Sequence, residues 1–441
     1  MLPSTTSAPT TTVRWGIIGC GDVVEVKSGP AFNKVPNSCL KAVMRRNGDL
    51  AKSFAQRHHV PLFFSDPQQL LDCEQVDAVY IATPPGNHKE LALLCATMGK
   101  PTLVEKPMAR CAVECREMIR GFNRVSLPLF VAYYRRHLPK FEAVHTILKE
   151  GKLGKITEVR LFCSRLRPMP KERGEGRKEE WRVDAAVAGG GLFLDLGSHM
   201  LDLVDWLFGP VPLESVKGMA GCTRSCSSIS RNSISSSRSN GHSTSSSSSF
   251  SSSSTPKNRT AADVEDQVRM VFRTKEGALG MGSWNFASSI EEDSFVIVGE
   301  KGHVKFSVFN NGPIVLTTRK EGKDDAEKGM VVETIGGFDV KASPHVHLPL
   351  IAAVTDDVRR WKEAKKAAAT AKTKCDVSII KDKNGDEEEK EEKEEIEWQC
   401  RSTGASALRT SEVMDKVLVA YYGGTRDDAF WTRPETWDMP I

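Results

Sequence analysis

The run Gly-Ile-Ile-Gly-Cys-Gly-Asp at 16–22 puts Gly19 and Gly21 directly behind an apolar, strand-like segment, VRWGII (13–18). Glycines in that position form a tight turn and let the backbone approach a pyrophosphate at the start of a helix. Gly19, Gly21, Asp22 and Val23 are therefore candidate dinucleotide contacts. The third place of the fingerprint holds Val24 in place of Gly or Ala, and Ser28-Gly29-Pro30 is expected to interrupt the helix that follows. Alone, such glycines make an ordinary strand-to-helix turn; the β-α surroundings give them weight. NAD-selective sites place a carboxylate about 20 residues beyond the glycines, on the ribose hydroxyls. Here LKAVM (40–44) runs into Arg45 and Arg46. A guanidinium binds a 2′-phosphate through charge-assisted, often bidentate hydrogen bonds, whereas a carboxylate repels it. The pattern favours NADP(H), and Asp49 lies near enough to leave NAD(H) open; on a bare surface the two arginines would simply be solvated.

A second set could move protons. Asp195 and His199 are spaced i, i+4 behind the glycine run 189–191, which on one helix puts both side chains on one face. Hydride transfer between a carbinol carbon and nicotinamide requires a proton to enter or leave the substrate oxygen, and His199 titrates in the right range. Asp195 could orient the imidazole or hold substrate. Lys106, in Val-Glu-Lys-Pro (104–107), would stabilise negative charge developing on the reacting oxygen. Taken singly, Asp-x-x-x-His is more often a solvated pair or a cap, and a lysine is more often a surface residue. Tyr134 and Arg136 in AYYRR, and Trp181-Arg182 ahead of the glycine run, are candidate substrate contacts that could equally pack at a domain boundary. His345 and His347 have metal-like spacing without an obvious third ligand, so no metal is assigned.

The elements that must position these groups fall into two styles. VRWGII (13–18), LKAVM (40–44), LFF (62–64), VDAVYIA (76–82), TLV (102–104) and PLFVAY (128–133) read as strands, several apolar on both faces as buried parallel strands are. Segments 49–59, 66–73, 88–100 and 112–122 between them carry helical spacing. The alternation implies an α/β Rossmann domain, a doubly wound parallel sheet, over 13–136. Beyond it, helical FEAVHTILKEG (141–151) gives way to KITEVRLFCSR (155–165), VRMVFRT (268–274), GALGMGSWNFA (277–287) and SFVIVGEKGHVKF (294–306). Strands without intervening helices suggest an α+β domain with an open, mainly antiparallel sheet over 137–441. Three stretches are expected to be disordered: 1–12, the Ser-rich 222–258, and the acidic 381–397.

At 441 residues the chain exceeds one ordinary core, and its 39% apolar content can build two. Lys+Arg (61) nearly balances Asp+Glu (57) without a basic stripe, which argues against nucleic acid or a membrane surface. Eleven scattered cysteines fit a reducing compartment better than a disulfide scaffold. With no signal-like N-terminus and no apolar run of the roughly 20 residues that span a membrane, the expectation is a cytoplasmic protein.

The clusters VDAVYIATPPGNH (76–88), VEKP (104–107) and GGGLFLDLGSH (189–199) together resemble the glucose-fructose oxidoreductase and inositol dehydrogenase family, Gfo/Idh/MocA, strongly over roughly 13–215 and more loosely beyond. The resemblance implies a Rossmann domain joined to an open-sheet α/β domain with the active site between them. It implies that Lys106, Asp195 and His199 form the catalytic group, that a cis bond precedes Pro107, and that Glu105 and Lys106 approach the nicotinamide ribose. Thr83, Pro85, Asn87 and His88 would line the dinucleotide. The expected activity is a dehydrogenase or reductase of a sugar, polyol or related small molecule. Alternatives within the resemblance are a glycosidase using tightly held nicotinamide for transient oxidation, and a nucleotide-sensing regulator, which would be free to lose the Lys-Asp-His group retained here. Open sheets commonly pair, so a homodimer or tetramer is expected.

Overall fold

The computed structural model describes residues 11–166, 180–223, 264–320, 329–338, 345–378 and 398–432. Residues 1–10, all but the first two positions of the Ser-rich stretch 222–258, and the acidic run 381–397 lie outside the described residues.

Six parallel strands form the first sheet: β1 (Val13–Ile18), β2 (Ser38–Met44), β3 (Leu62–Phe64), β4 (Ala78–Ile81), β5 (Thr102–Val104) and β6 (Leu129–Val131). Their order, β3-β2-β1-β4-β5-β6, reverses between β1 and β4 and so opens a crevice beyond the carboxyl ends of those strands. Helices α1 (Gly48–Arg57), α2 (Pro67–Asp72), α3 (His88–Thr97), α4 (Ala112–Arg124) and α5 (Pro139–Lys149) connect or follow them. Local chemistry sets the helix starts. The Asn47 side chain accepts from the Leu50 N–H, and Asp66 accepts from Gln68 N–H with Pro67 at the first helical position.

The second sheet has eight strands: β7 (Ile156–Leu166), β8 (Lys217–Gly221), β9 (Gln267–Arg273), β10 (Leu279–Ser288), β11 (Glu292–Gly299), β12 (Gly302–Phe306), β13 (Ile314–Arg319) and β14 (Met330–Ile335). In the order β14-β13-β12-β11-β7-β10-β9-β8 every neighbouring pair is antiparallel except β7 with β10. The expected single run 294–306 is a hairpin, β11 and β12, turning at Glu300-Lys301. Strand β9 alternates along its length and β10 over its first four residues: Val268, Met270 and Phe272 are buried, as is Trp284, whereas Val271, Leu279 and Met281 face outward on the side of the sheet where Met219 of β8 is exposed. A shallow cavity of about 650 Å³ on that outward face is lined by Val271, Leu279 and Met281. It contains none of the residues singled out for chemistry. This part also holds α6 (Ala185–Ala188) and α7 (Ser198–Phe208).

The chain divides into two compact units that do not follow the expected contiguous split at 136/137. The first takes 1–109, 114–150 and 336–409, and the second takes 110–113, 151–335 and 410–441. The long helix α8 (Leu348–Ser378) belongs to the first unit because Leu350, Ile351, Val354 and Val358 form an apolar stripe that joins Trp15, Phe32 and Tyr80 in one core. Helix α9 (Gly404–Leu418) buries Ala407 in the other core of that unit, with Val131 and Met118. A short α10 (Asp428–Thr432) ends the described chain. Among the described residues no helix is long and apolar enough to cross a membrane.

Candidate functional site

Within the first unit, five segments with candidate residues leave the carboxyl ends of parallel strands. After β1 the chain turns at Gly19, where φ is +95°. The N–H groups of Gly19 and Cys20 donate to the Met44 carbonyl at the end of β2, at 2.8 and 3.3 Å. A Cβ on Gly19 would meet Thr83 Cγ2 at 2.8 Å, so only glycine lets the turn lie against the loop after β4. A Cβ on Gly21 would meet nothing nearer than 4.0 Å. Thr83 Oγ1, beside this turn, is buried without a hydrogen-bond partner among the described residues. A close-set turn, open space over its second glycine and an orphaned hydroxyl fit a dinucleotide laid across the turn. Asp22 is exposed and Val23 half-buried in the helical turn that follows. The expected interruption at Ser28-Gly29-Pro30 is a change of winding: a wide π turn, Val24–Ser28, tightens into a 3-10 turn, Gly29–Asn33.

Half-buried Arg45, just past β2, folds back so that its guanidinium lies 3.4 Å from the Cys20 carbonyl of the glycine turn. Arg46 is exposed, as is Asp49 in the first turn of α1. Among the described residues neither arginine pairs with a carboxylate. In the loop after β4, Pro85 is buried and Asn87 exposed. His88, expected to line the dinucleotide, is fully buried, with Nε2 2.7 Å from the Thr83 carbonyl and Nδ1 3.2 Å from both the Pro107 and Met108 carbonyls. It is a strut between two loops, and burial holds its pKa below the ordinary imidazole value.

After β5 the Glu105 carboxylate is 8% exposed and held from both sides. The Tyr80 hydroxyl donates to Oε1 at 2.5 Å, and the Lys106 N–H donates to Oε2 at 3.0 Å. Burial and the adjacent Glu105 push the Tyr80 hydroxyl well up, so it remains a donor. Lys106 is half-buried and its bond to Pro107 is cis. Sequence reasoning missed one partner of this carboxylate and one neighbour. Tyr80 looked like a strand residue, and His347 had been set aside with His345 for metal-like spacing. The two histidines diverge. His345 Nδ1 is 3.2 Å from the Val26 carbonyl, while His347 Nδ1 is 3.7 Å from Glu105 Oε1 and its ring lies 4.6 Å from that of Tyr134. Burial, with Lys27, Lys106 and Arg135 nearby, brings His347 down to about 3, so it is neutral. Tyr134, after β6, thus keeps a place beside the Glu105 group. Arg136 does not: it is 2% exposed, its Nη1 donates to the Arg401 carbonyl at 2.9 Å, and Arg401 returns a bond to the Arg136 carbonyl at 3.1 Å. A buried guanidinium spent on backbone is a clamp.

In the second unit, α6 is capped by Asp184 and ends at Gly189. The chain then runs through Gly190 and Gly191 into a π turn, Phe193–Gly197, and α7. Asp195 sits in the π turn and His199 in the first turn of α7. Their winding is therefore wider than the ideal i, i+4 step. Asp195 is half-buried, with Arg182 Nε 3.8 Å from Oδ2; the Arg182 guanidinium also lies 4.5 Å over the Trp181 ring. The Trp181-Arg182 pair is thus brought to Asp195. His199 is 4% exposed with its Nδ1 buried, and its ring meets Phe309 edge-on at 6.1 Å.

Comparison with known proteins agrees with this layout. Residues 13–133 match a model described as oxidoreductase family, NAD-binding Rossmann fold, and 141–305 match a GFO/IDH/MocA C-terminal domain. The chain is 31% identical over 333 residues to Oxidoreductase P35 of Formosa agariphila, covering 74% of this chain and 91% of that protein. It is 33% identical over 210 residues to bovine trans-1,2-dihydrobenzene-1,2-diol dehydrogenase, covering 47% of this chain and 59% of that one. In three dimensions it resembles a levoglucosan dehydrogenase solved with NADH and levoglucosan, at TM-score 0.65 and 17% identity over 92% of this chain and 96% of the other.

Proposed function

The chain belongs to the Gfo/Idh/MocA family of NAD(P)-dependent oxidoreductases, and from that premise we propose that it moves hydride between NADP(H) and a carbinol or carbonyl carbon of a sugar, polyol or vicinal diol. The observation that carries the reading is the Glu105-Lys106 pair. A buried carboxylate gripped by Tyr80 and by the Lys106 N–H fixes the backbone from which the Lys106 side chain projects.

Bound nicotinamide would supply the hydride acceptor or donor. The residues that fit it are Gly19, Gly21 and Thr83 at the turn, with Glu105 at the far end. Lys106 is assigned to the substrate oxygen, where its ammonium favours the alkoxide-like charge of the transition state over the neutral hydroxyl. His199 is assigned to the proton: with Nδ1 buried, Nε2 is the nitrogen that takes a proton from the hydroxyl in oxidation and returns it in reduction. Asp195, Trp181 and Arg182 are assigned to substrate hydroxyls, since the carboxylate and guanidinium together offer acceptors and donors suited to a polyol. Arg45 beside the turn and the neighbouring, exposed Arg46, neither with a carboxylate partner among the described residues, support NADP(H) over NAD(H).

The test is His199→Asn in a screen of sugars, polyols and diols with NADP+ and NAD+. The substitution should lower turnover by roughly 10²–10⁴-fold while leaving NADPH affinity nearly intact. Near-normal turnover in the variant would remove His199 from the mechanism.

A further inference from the structure

The three glycines ahead of Asp195 and His199 are held by residues that the proposed reaction does not use. Glu265, just ahead of β9, is 1% exposed. Both of its carboxylate oxygens lie 2.9 Å from the Gly191 N–H, and Oε2 also accepts the Tyr422 hydroxyl at 2.6 Å. A Cβ on Gly191 would collide with the Glu265 carbonyl, so the two segments meet at backbone distance. Arg426 is 3% exposed. Its guanidinium donates to the Gly189 carbonyl and pairs with Asp415, whose other oxygen accepts the Ala112 N–H at 2.8 Å. Both ends of the glycine run are therefore gripped, one by a carboxylate and one by a guanidinium. Burial pushes the Tyr422 hydroxyl well up, so it stays protonated and donates to Glu265. From Gly191 the path to His199 is short and stiff. The Leu194 N–H donates to the Gly191 carbonyl at 3.1 Å, and Phe193 packs edge-on against Trp284 of β10 at 4.9 Å.

We propose that Glu265, supported by Tyr422 and Arg426, is a positioning residue for His199: it pins the turn at Gly191 and so sets where the segment carrying Asp195 and His199 begins. The proposal rests on the reading of His199 as the acid-base group for its effect on rate, but its structural part does not. Removal of the carboxylate leaves the Gly191 N–H and the Tyr422 hydroxyl buried without their acceptor, and the turn must move to satisfy them. A shift of about 1 Å in a proton-transferring group costs on the order of 100-fold in rate. Glu265→Gln keeps a carbonyl that accepts the Gly191 N–H, and should restore most of what Glu265→Ala loses.

The experiment has two arms. In protein labelled with 13C at histidine, the His199 resonance, identified by its loss in His199→Asn, should shift or broaden in Glu265→Ala and return in Glu265→Gln. The resonance of His303 on β12 should stay in place. In the second arm, on the fastest alcohol from the screen, Glu265→Ala should lower turnover ~10- to 100-fold with His199 present. In a His199→Asn background it should lower turnover less than ~2-fold, because the group it positions is gone. A merely structural role would give equal losses in both backgrounds. Equal losses, or an unmoved His199 resonance, overturn the proposal. Should Glu265→Ala fail to fold, Tyr422→Phe removes one hydroxyl alone and should move the same resonance in the same direction. If His199→Asn is itself fully active, the acid-base reading falls, and the first arm still decides whether Glu265 positions the imidazole.

Discussion

Arg45 reaches back toward the Cys20 carbonyl of the glycine turn, and Arg46, next in sequence, is exposed; the proposed reading gives both to a 2′-phosphate. Arg45→Ala with Arg46→Ala should weaken NADP(H) specifically. Each charge-assisted bond contributes about 1.5–3 kcal/mol, so losing one implies ~10- to 150-fold in affinity and losing two implies more. Affinity for NAD(H) should barely change, and the NADP preference should shrink as salt rises. Titration of both cofactors at two ionic strengths checks this; an unchanged affinity ratio would assign the arginines to the surface. At this scale the sequence was legible where a conformation is local to its motif, as for the turn at Gly19 and the cis bond before Pro107. It was misleading where a side chain turns inward: His88, which the resemblance gave to the dinucleotide, and Arg136, offered as a substrate contact, both hold backbone carbonyls. His347 and Tyr80 could not be attached to Glu105 from sequence, since only the fold brings positions so far apart together.

At the scale of elements, the carboxylate of Asp77, just ahead of β4, ties β1 to α8. It accepts from Arg14 of β1 at 3.0 and 2.8 Å and pairs with Lys362 of α8 at 2.9 Å. Burial raises the Asp77 pKa, but the bonds to Arg14 and Lys362 outweigh it and bring it down to about 2. A depressed carboxylate contributes stability that is fully present above its unfolded value near 3.8 and lost as pH falls through about 2. Asp77→Asn should therefore cost about 2 kcal/mol at neutral pH and flatten the fall in stability between those two values. Denaturant melts across that pH range check it, and parallel curves for both proteins would contradict it. A second expectation concerns the Ser-rich stretch. Its flanks are already joined: the Thr223 N–H and hydroxyl donate to Asp266 at 2.9 and 2.6 Å, and β8 pairs antiparallel with β9. Deleting 225–256 should leave cofactor affinity and Tm nearly unchanged, and loss of soluble expression would show that the stretch is structural. The strands legible in the sequence were those with an apolar face, β1 to β7 and β9 to β12. Strands β8 and β14 are exposed along most of their length and give no such signal, while the short β13 was missed although Ile314 and Leu316 are buried. Helix α8 hid for a related reason: its apolar stripe occupies only its first part, ahead of a lysine- and alanine-rich run.

At the scale of the whole molecule, the chain leaves the first unit, builds the second and returns, so α8 completes a core begun by β1. No local pattern announces that return, which is why a contiguous division was expected. The central claim is hydride transfer at a carbinol carbon with NADP(H) preferred. Its most direct measurement supplies the purified protein with NADP+ or NAD+ and a panel of sugars, polyols and diols deuterated at the carbinol carbons, with mass analysis of the nicotinamide. Deuterium should appear on the nicotinamide ring, faster with NADP+ than with NAD+, and roughly 10²–10⁴-fold more slowly in His199→Asn. No deuterium on the ring from any member of the panel, or label cycling back to the sugar with cleavage of a glycosidic bond and no net reduced cofactor, would contradict it.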